Sequence, residues 1–261
     1  MATVVQEFLG ERSQLYKEVL NAYPHARDDE IKAAMNCLKP KKGERILESG
    51  AGSGLYSKVI SDLIGIEGKL IATDPSGDQL ENIHAFKKTN IQTVVAGADT
   101  LFVNSHPLLT KESFDAIWSC GSFHHCINKT QAFGNFANLL KKDGRLLIFD
   151  VFTGSSLAKY FDAEVSKFCL TGHEVAFLSH EFADSLCYLY GFSKPKFHDL
   201  NLLWKFNTKD DLGIFMYKLH GMTKTTIKDC LEKVEAFMKV EYKDNSYQLH
   251  VPLTILEANK L

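Results

Sequence analysis

Cysteine and proline are scarce in this chain, six of each in 261 residues, and no two cysteines stand as Cys-x-x-Cys. Scattered at positions 37, 120, 126, 169, 187 and 230, the cysteines read as reduced, mostly buried thiols and exclude a disulfide framework. Neither sign of charge is in excess: 30 Lys and Arg against 32 Asp and Glu leave a formal charge of -2. That argues against a dedicated nucleic-acid binder, whose footprint is a basic surplus or cluster. Long apolar runs are missing too. Stretches such as residues 146–149 fall far short of the roughly 20 residues a membrane helix needs. The opening Met1-Ala2-Thr3-Val4-Val5-Gln6-Glu7 lacks the basic and apolar regions of a secretory leader. The expectation is a soluble, cytoplasmic protein.

What is present is ordinary for a globular chain. Hydrophobic residues make up 45% and charged residues 24%, which excludes disorder and fibrous repeats. A chain of this length buries roughly 70–75% of its unfolded surface, so no metal or disulfide staple is required. No internal repeat or linker composition divides it, and residues 1–261 read as a single domain. The segment Cys120-Gly121-Ser122-Phe123-His124-His125-Cys126 invites a zinc reading. Structural zinc favours paired cysteines, and adjacent histidines on extended chain point opposite ways. No metal site is expected.

Periodicity organises the rest. Residues 4–23 carry a helical stripe through Val5, Phe8, Arg12, Leu15, Tyr16, Val19, Leu20 and Tyr23, ended by Pro24. A second helix follows Asp28-Asp29-Glu30, acids that suit a first turn. Runs at 45–48, 69–74, 92–96, 114–120 and 145–152 are apolar without alternation, as strands buried on both faces should be. Helical stripes lie between them, and strand alternating with helix predicts an α/β fold with a doubly wound, mostly parallel sheet. Beyond Phe152 the spacing predicts helices over 155–168, near 182–189, over 208–222 and over 225–238. Strand-like runs fall at 194–206 and 247–257.

The informative segment is Ile46-Leu47-Glu48-Ser49-Gly50-Ala51-Gly52-Ser53-Gly54-Leu55-Tyr56, where the first strand turns into a helix. Glycines there allow close approach of backbone to a ligand, at the crevice where open α/β sheets bind. An acid to hold ribose hydroxyls should follow at the end of the second strand, and Asp74 stands 20 residues beyond Gly54. The nicotinamide fingerprint G-x-G-x-x-G would place its third glycine at 55, which is Leu. A phosphate-cradling loop would need Gly-Lys-Ser/Thr, which is absent.

Gly-Ala-Gly-Ser-Gly preceded by Glu48 resembles instead the first motif of class I S-adenosylmethionine-dependent methyltransferases. The resemblance continues through Ala96-Gly97-Ala98-Asp99, Phe114-Asp115-Ala116-Ile117-Trp118-Ser119, Leu140-Lys141-Lys142-Asp143-Gly144-Arg145-Leu146-Leu147 and Leu189-Tyr190-Gly191-Phe192. It covers roughly 40–206 and departs at Lys142-Asp143, where the family has Pro-Gly. It implies a seven-stranded sheet with helices on both faces, an antiparallel last strand and helical lid insertions. The parts would be a lid at 1–40, a cofactor-binding core at 41–206, a helical insertion at 207–246 and a closing strand at 247–261. S-adenosylmethionine is the implied cofactor and S-adenosylhomocysteine its product. Glu48 would face the methionine amino group, and Gly50, Ala51, Gly52 and Gly54 the methionine chain. Asp74 would accept from the ribose diol, with Pro75 against the adenine face. Asp99 would accept from the exocyclic amine beside the apolar wall of Ala98. Ser119 and Cys120 would end the fourth strand beside the sulfonium.

Methyl transfer is an in-line displacement that alignment accelerates. A base is needed only where the acceptor must lose a proton, and His124, with His125 second, is the best-placed candidate. The layout is similar to small-molecule O-methyltransferases, including those acting on carboxyl groups such as trans-aconitate or malonyl-acyl-carrier-protein. The N/D-P-P-Y/F motif of base-amine methylation is absent. The expected partner is therefore a small-molecule acceptor, carboxyl- and acyl-bearing compounds among the candidates, with neither nucleic acid nor membrane. The rival reading is a methyltransferase-like module that holds the cofactor without turnover and serves as a partner scaffold.

Overall fold

The computed structural model describes residues 8–102, 106–173 and 175–261. Residues 4–7 of the N-terminal stripe, Val5 among them, lie outside that range. In chain order the elements are α1 (Gly10–Ala22), α2 (Asp28–Leu38), β1 (Arg45–Ser49), α3 (Leu55–Ile64), β2 (Lys69–Asp74), α4 (Gly77–His84), β3 (Ile91–Val95) and β4 (Phe114–Cys120). A 3-10 turn (Phe123–His125), α5 (Lys129–Leu139) and β5 (Leu140–Asp150) follow. Next come α6 (Ser156–Tyr160), a π-turn (Phe161–Val165), α7 (Ser166–Phe168), α8 (His180–Leu189) and β6 (Lys196–Phe206). The chain closes with α9 (Lys209–Leu219), α10 (Ile227–Phe237), β7 (Val240–Lys243) and β8 (Ser246–Asn259).

Two compact units share these elements. The glycine-loop unit comprises Ala34–Asp150, Val175–His198 and Thr254–Leu261; the N-terminal unit comprises 1–33, 151–174 and 199–253. The strand order is β3-β2-β1-β4-β5-β8-β6, with β7 paired to β8 as the eighth strand.

In the glycine-loop unit, β1 pairs in parallel with both β2 and β4, β2 with β3, and β4 with β5, while β8 runs antiparallel to β5. Its strands are apolar at successive positions because both faces are covered. Ile46, Leu47, Leu70, Ile71, Ala116, Ile117, Trp118, Leu146, Leu147 and Ile148 are all fully buried. Right-handed crossovers that leave β1 leftward and β4 rightward set α3 and α4 on one face and α5 on the other. On α3 the buried positions Tyr56, Ile60 and Ile64 recur at four-residue steps, and on α5 Ala132, Phe133, Phe136 and Leu139 make the stripe. Each large apolar side chain so covered stabilises by about 1.5–3 kcal/mol. The order reverses at β1, and such a switch point opens a crevice beyond the C-terminal ends of β1 and β4.

The N-terminal unit packs α9 against α1 and α10. Thr208 and Asp211 form a capping box at the start of α9, and the Thr226 hydroxyl accepts from the Asp229 amide at 3.1 Å to cap α10. The helix expected over 155–168 is present over 156–168, with the π-turn as its middle segment. One sequence expectation fails here. The insertion expected to be helical to residue 246 turns to strand at Val240, because Asp244 and Asn245 adopt φ of 50° and 57° and close a two-residue hairpin onto β8. Among the described residues no helix is long and apolar enough to cross a membrane.

Candidate cofactor site

Beyond Ser49 the chain leaves β1 through a loop whose first two amides bond to the neighbouring strand, Gly50 and Ala51 both donating to the Thr73 carbonyl at 2.8 and 2.9 Å. Gly50 (φ 76°) and Gly54 (φ 89°) take left-handed conformations that disfavour side chains. Space forbids one as well. A Cβ on Gly50 would lie 2.0 Å from the Ser122 Oγ, and one on Gly54 2.7 Å from a Phe86 ring carbon. The loop is thus pressed against the segment after β4 on one side and against α4 and its exit on the other.

Asp74, at the end of β2, ties this loop to the sheet. Its Oδ2 accepts from the Gly52 amide and its Oδ1 from the Ser76 amide, each at 2.9 Å. Burial raises its pKa to about 6 against the lowering effect of those two amides. Glu48 is 2% exposed and accepts from the Ser57 hydroxyl at 2.5 Å. Burial pushes it up to about 8; the Ser57 bond opposes the shift and the Asp74 charge adds to it. Two carboxyl groups therefore share one buried locus, held by hydroxyl and backbone donors, and among the described residues no cationic side chain is bonded to either. Asp74 retains lone-pair capacity beyond its two amide bonds, since an ionised carboxylate offers about four acceptor sites.

Pro75, Ala98 and Asp99 lie just beyond the ends of β2 and β3. A Cβ on Gly97 would lie 3.2 Å from the Asp99 Oδ1 and 3.9 Å from the Pro75 Cβ, so these three positions adjoin. The Ala98 carbonyl accepts from the Asn135 side chain at 2.9 Å, and the Asp99 Oδ2 accepts from the Asn128 amide at 3.1 Å. At the end of β4, Ser119 is buried and its hydroxyl lies 3.1 Å from that of Ser122, which donates to the Ser49 carbonyl at 3.2 Å. Cys120 is half-buried and pairs in register with Phe149. Glu48, the three glycines, Ala51, Asp74, Pro75, Ala98, Asp99, Ser119 and Cys120 all belong to the glycine-loop unit, at the ends of β1 to β4.

His124 sits in the same unit but not on extended chain. His124 and His125 form the 3-10 turn, and their rings lie 4.1 Å apart, not on opposite sides. The sequence argument about adjacent histidines fails because the turn, not a strand, sets their directions. The His124 Nδ1 lies 2.5 Å from Asp150 Oδ1, and its backbone amide donates to Asp150 Oδ2 at 3.1 Å. Sequence reading missed Asp150. The available signal was an acid closing an apolar strand, the same placement that singled out Asp74. It also missed Ser57 and Ser122, whose hydroxyls carry no pattern of their own.

A family model described as "Methyltransferase domain" matches residues 47–148. The ubiquinone/menaquinone biosynthesis C-methyltransferase UbiE of Haemophilus ducreyi is 25% identical over 117 residues, and that alignment spans only 44% of either protein. Geranyl diphosphate C-methyltransferase from Streptomyces coelicolor, solved with S-adenosyl-L-homocysteine, superposes with a TM-score of 0.61 at 15% identity, covering 94% of this chain and 84% of that one. A Haemonchus contortus phosphoethanolamine N-methyltransferase 2, solved with S-adenosylhomocysteine, gives 0.64 at 15% identity over 100% of this chain and 60% of that one. Identities this low show the fold alone, which is that of the class I methyltransferases.

Proposed function

We propose that this chain, whose core is a class I S-adenosylmethionine-dependent methyltransferase domain, transfers a methyl group from that cofactor to a small-molecule acceptor. The observation that supports it best is the pair Glu48 and Asp74, buried with no cation bonded to them among the described residues, beside a loop that tolerates no side chain at Gly50 or Gly54. A ligand with one ammonium group and a vicinal diol suits that pair. The ammonium offsets the Glu48 charge, and the diol hydroxyls donate to the remaining acceptor sites of Asp74. Pro75 and Ala98 give apolar walls, and Asp99 an acceptor for an exocyclic amine. When bound, the cofactor supplies an electrophilic methyl group.

The chain's own residues orient and exclude. Gly50 and Gly54 present backbone where a side chain would intrude, Ala51 and Gly52 continue the same loop with the Gly52 amide held by Asp74, and Ser119 and Cys120 close the end of β4. Holding the reactants in line replaces a bimolecular encounter with a positioned one. His124 takes a proton from acceptors that must lose one. The named relatives include C- and N-methyltransferases, so the acceptor atom is not confined to oxygen.

Calorimetry with S-adenosylmethionine, S-adenosylhomocysteine and NAD tests the proposal. Both sulfur ligands should bind and NAD should not; NAD binding tighter than S-adenosylhomocysteine sinks it. Binding of the sulfur ligands with no methyl transfer to any small acceptor would favour the non-catalytic module.

A further inference from the structure

Asp150 ends β5 with 2% of its surface exposed, and both of its oxygens are turned on one residue. Oδ2 accepts the His124 backbone N–H and Oδ1 meets the His124 Nδ1. The His124 carbonyl is fixed as well, accepting from the Ala176 amide at 3.2 Å and from the Lys129 ammonium at 3.4 Å. The ring packs against His125 and, at 5.9 Å, against Phe177. Lys129 is itself buried, donates to the Cys126 carbonyl at 2.8 Å and stands in electrostatic reach of Asp150, which favours the carboxylate form. Two residues earlier the same turn presents Ser122 to Gly50 of the glycine loop.

A carboxylate can only accept. With Oδ1 against Nδ1, the hydrogen must reside on Nδ1, which makes Nε2 the accepting nitrogen of the ring. We propose that Asp150 is a positioning residue that fixes His124 in the Nδ1–H tautomer, so that Nε2 receives the proton of an acceptor that loses one on methylation. This rests on the methyltransferase reading above and narrows its acceptor to a hydroxyl, a neutral amine N–H or an acidic C–H. The step balances. The acceptor's electron pair forms the new bond to the methyl carbon, and the electrons of the broken carbon–sulfur bond stay on sulfur. The acceptor's proton passes to Nε2, giving an imidazolium beside the Asp150 carboxylate and later releasing the proton to water. A preformed carboxylate acceptor has no proton to give and would gain nothing from this pair.

Asp150→Asn makes a sharp test, because the His124 backbone amide can only donate. The carboxamide oxygen must stay on that amide, which turns the NH2 group onto Nδ1 and drives the hydrogen to Nε2. Nitrogen-15 spectra of the full chain labelled at histidine should show Nδ1–H in the wild type and Nε2–H in Asp150→Asn, with S-adenosylhomocysteine affinity unchanged within about twofold. Methyl transfer to a phenol, an amine or a carbon acid should fall about 10²–10⁴-fold in kcat, with KM within about threefold. An Nε2–H tautomer in the wild type overturns the proposal even if the variant does not fold. So does an unchanged tautomer in the variant, or transfer to a carboxylate that survives Asp150→Asn undiminished. Failure of the wild type to bind S-adenosylhomocysteine would instead remove the methyltransferase reading and leave the tautomer result standing.

Discussion

Glu30 in the N-terminal unit and Glu48 in the glycine-loop unit are both buried glutamates, yet their surroundings differ in kind. Glu30 is fully enclosed, gripped by the Arg27 guanidinium and by the Trp204 indole N–H at 2.7 Å. Its charge is balanced within the unit. Glu48 and its neighbour Asp74 have a serine hydroxyl and two backbone amides for company, and burial raises both pKa values. A carboxylate enclosed with its cation is a piece of architecture, and removing one partner is costly. Carboxyl groups enclosed without one are poised for a ligand that brings the missing donors. Under the proposed function, the contrast separates residues that hold the fold from residues that would meet the ligand.

The largest expected effect lies on the architectural side. Glu30→Ala should destabilise by about 3–5 kcal/mol, since it strands the Arg27 charge, while S-adenosylhomocysteine affinity in the protein that remains folded stays within about twofold. Urea denaturation and calorimetry measure the two quantities, and a large affinity loss at unchanged stability would erase the contrast. Asp74→Ala should do the reverse, weakening S-adenosylhomocysteine by about 1.5–3 kcal/mol, the scale of hydrogen bonds to a charged group, with little change in melting temperature. Normal binding with early melting would make Asp74 structural.

The pH dependence sharpens the comparison further. Glu48 and Asp74 have folded-state pKa values of about 8 and about 6, raised above their ordinary values of 4.5 and 3.8. Their contribution to stability is therefore fully present below the unfolded values and is lost as pH rises through about 6 and then about 8. The ligand-free protein should lose stability across that window, and Glu48→Gln should flatten the upper part of the slope. A ligand ammonium favours the ionised form, so binding at pH 7 should release up to about one proton. Calorimetry in two buffers of different ionisation enthalpy reads this, and proton uptake would contradict it. The smallest effect belongs to Thr226→Ala, which removes the cap of α10 in the N-terminal unit. A loss of about 1 kcal/mol in stability is expected, with S-adenosylhomocysteine binding untouched.

Much of the candidate site was legible because its parts are local. The three glycines lie within five positions, and Asp74 closes a strand visible as an apolar run. The strands of the core were legible for the same reason, since a sheet covered on both faces leaves consecutive buried positions such as Ile46-Leu47 and Leu70-Ile71-Ala72. The beginning of β5 at Leu140 was not, because Lys141, Lys142 and Asp143 are exposed and carry no apolar signal. Nor was β7, which falls within the stretch 207–246 expected to be a helical insertion. The His124–Asp150 pair escaped because it joins residues 26 positions apart through the parallel register of β4 and β5.

By itself the sequence determined the α/β class, the strand–glycine–helix turn and the acid at the end of the second strand. Each rests on backbone conformations and periodicities that a few neighbouring residues impose. Only the tertiary structure decided that Glu48 and Asp74 would be enclosed with no bonded cation among the described residues while Glu30 received one. It alone turned Asp150 onto His124 and assembled each unit from three separated stretches of chain. Those outcomes depend on which strands lie side by side and on what burial does to a charge. Neither quantity is a property of any short segment.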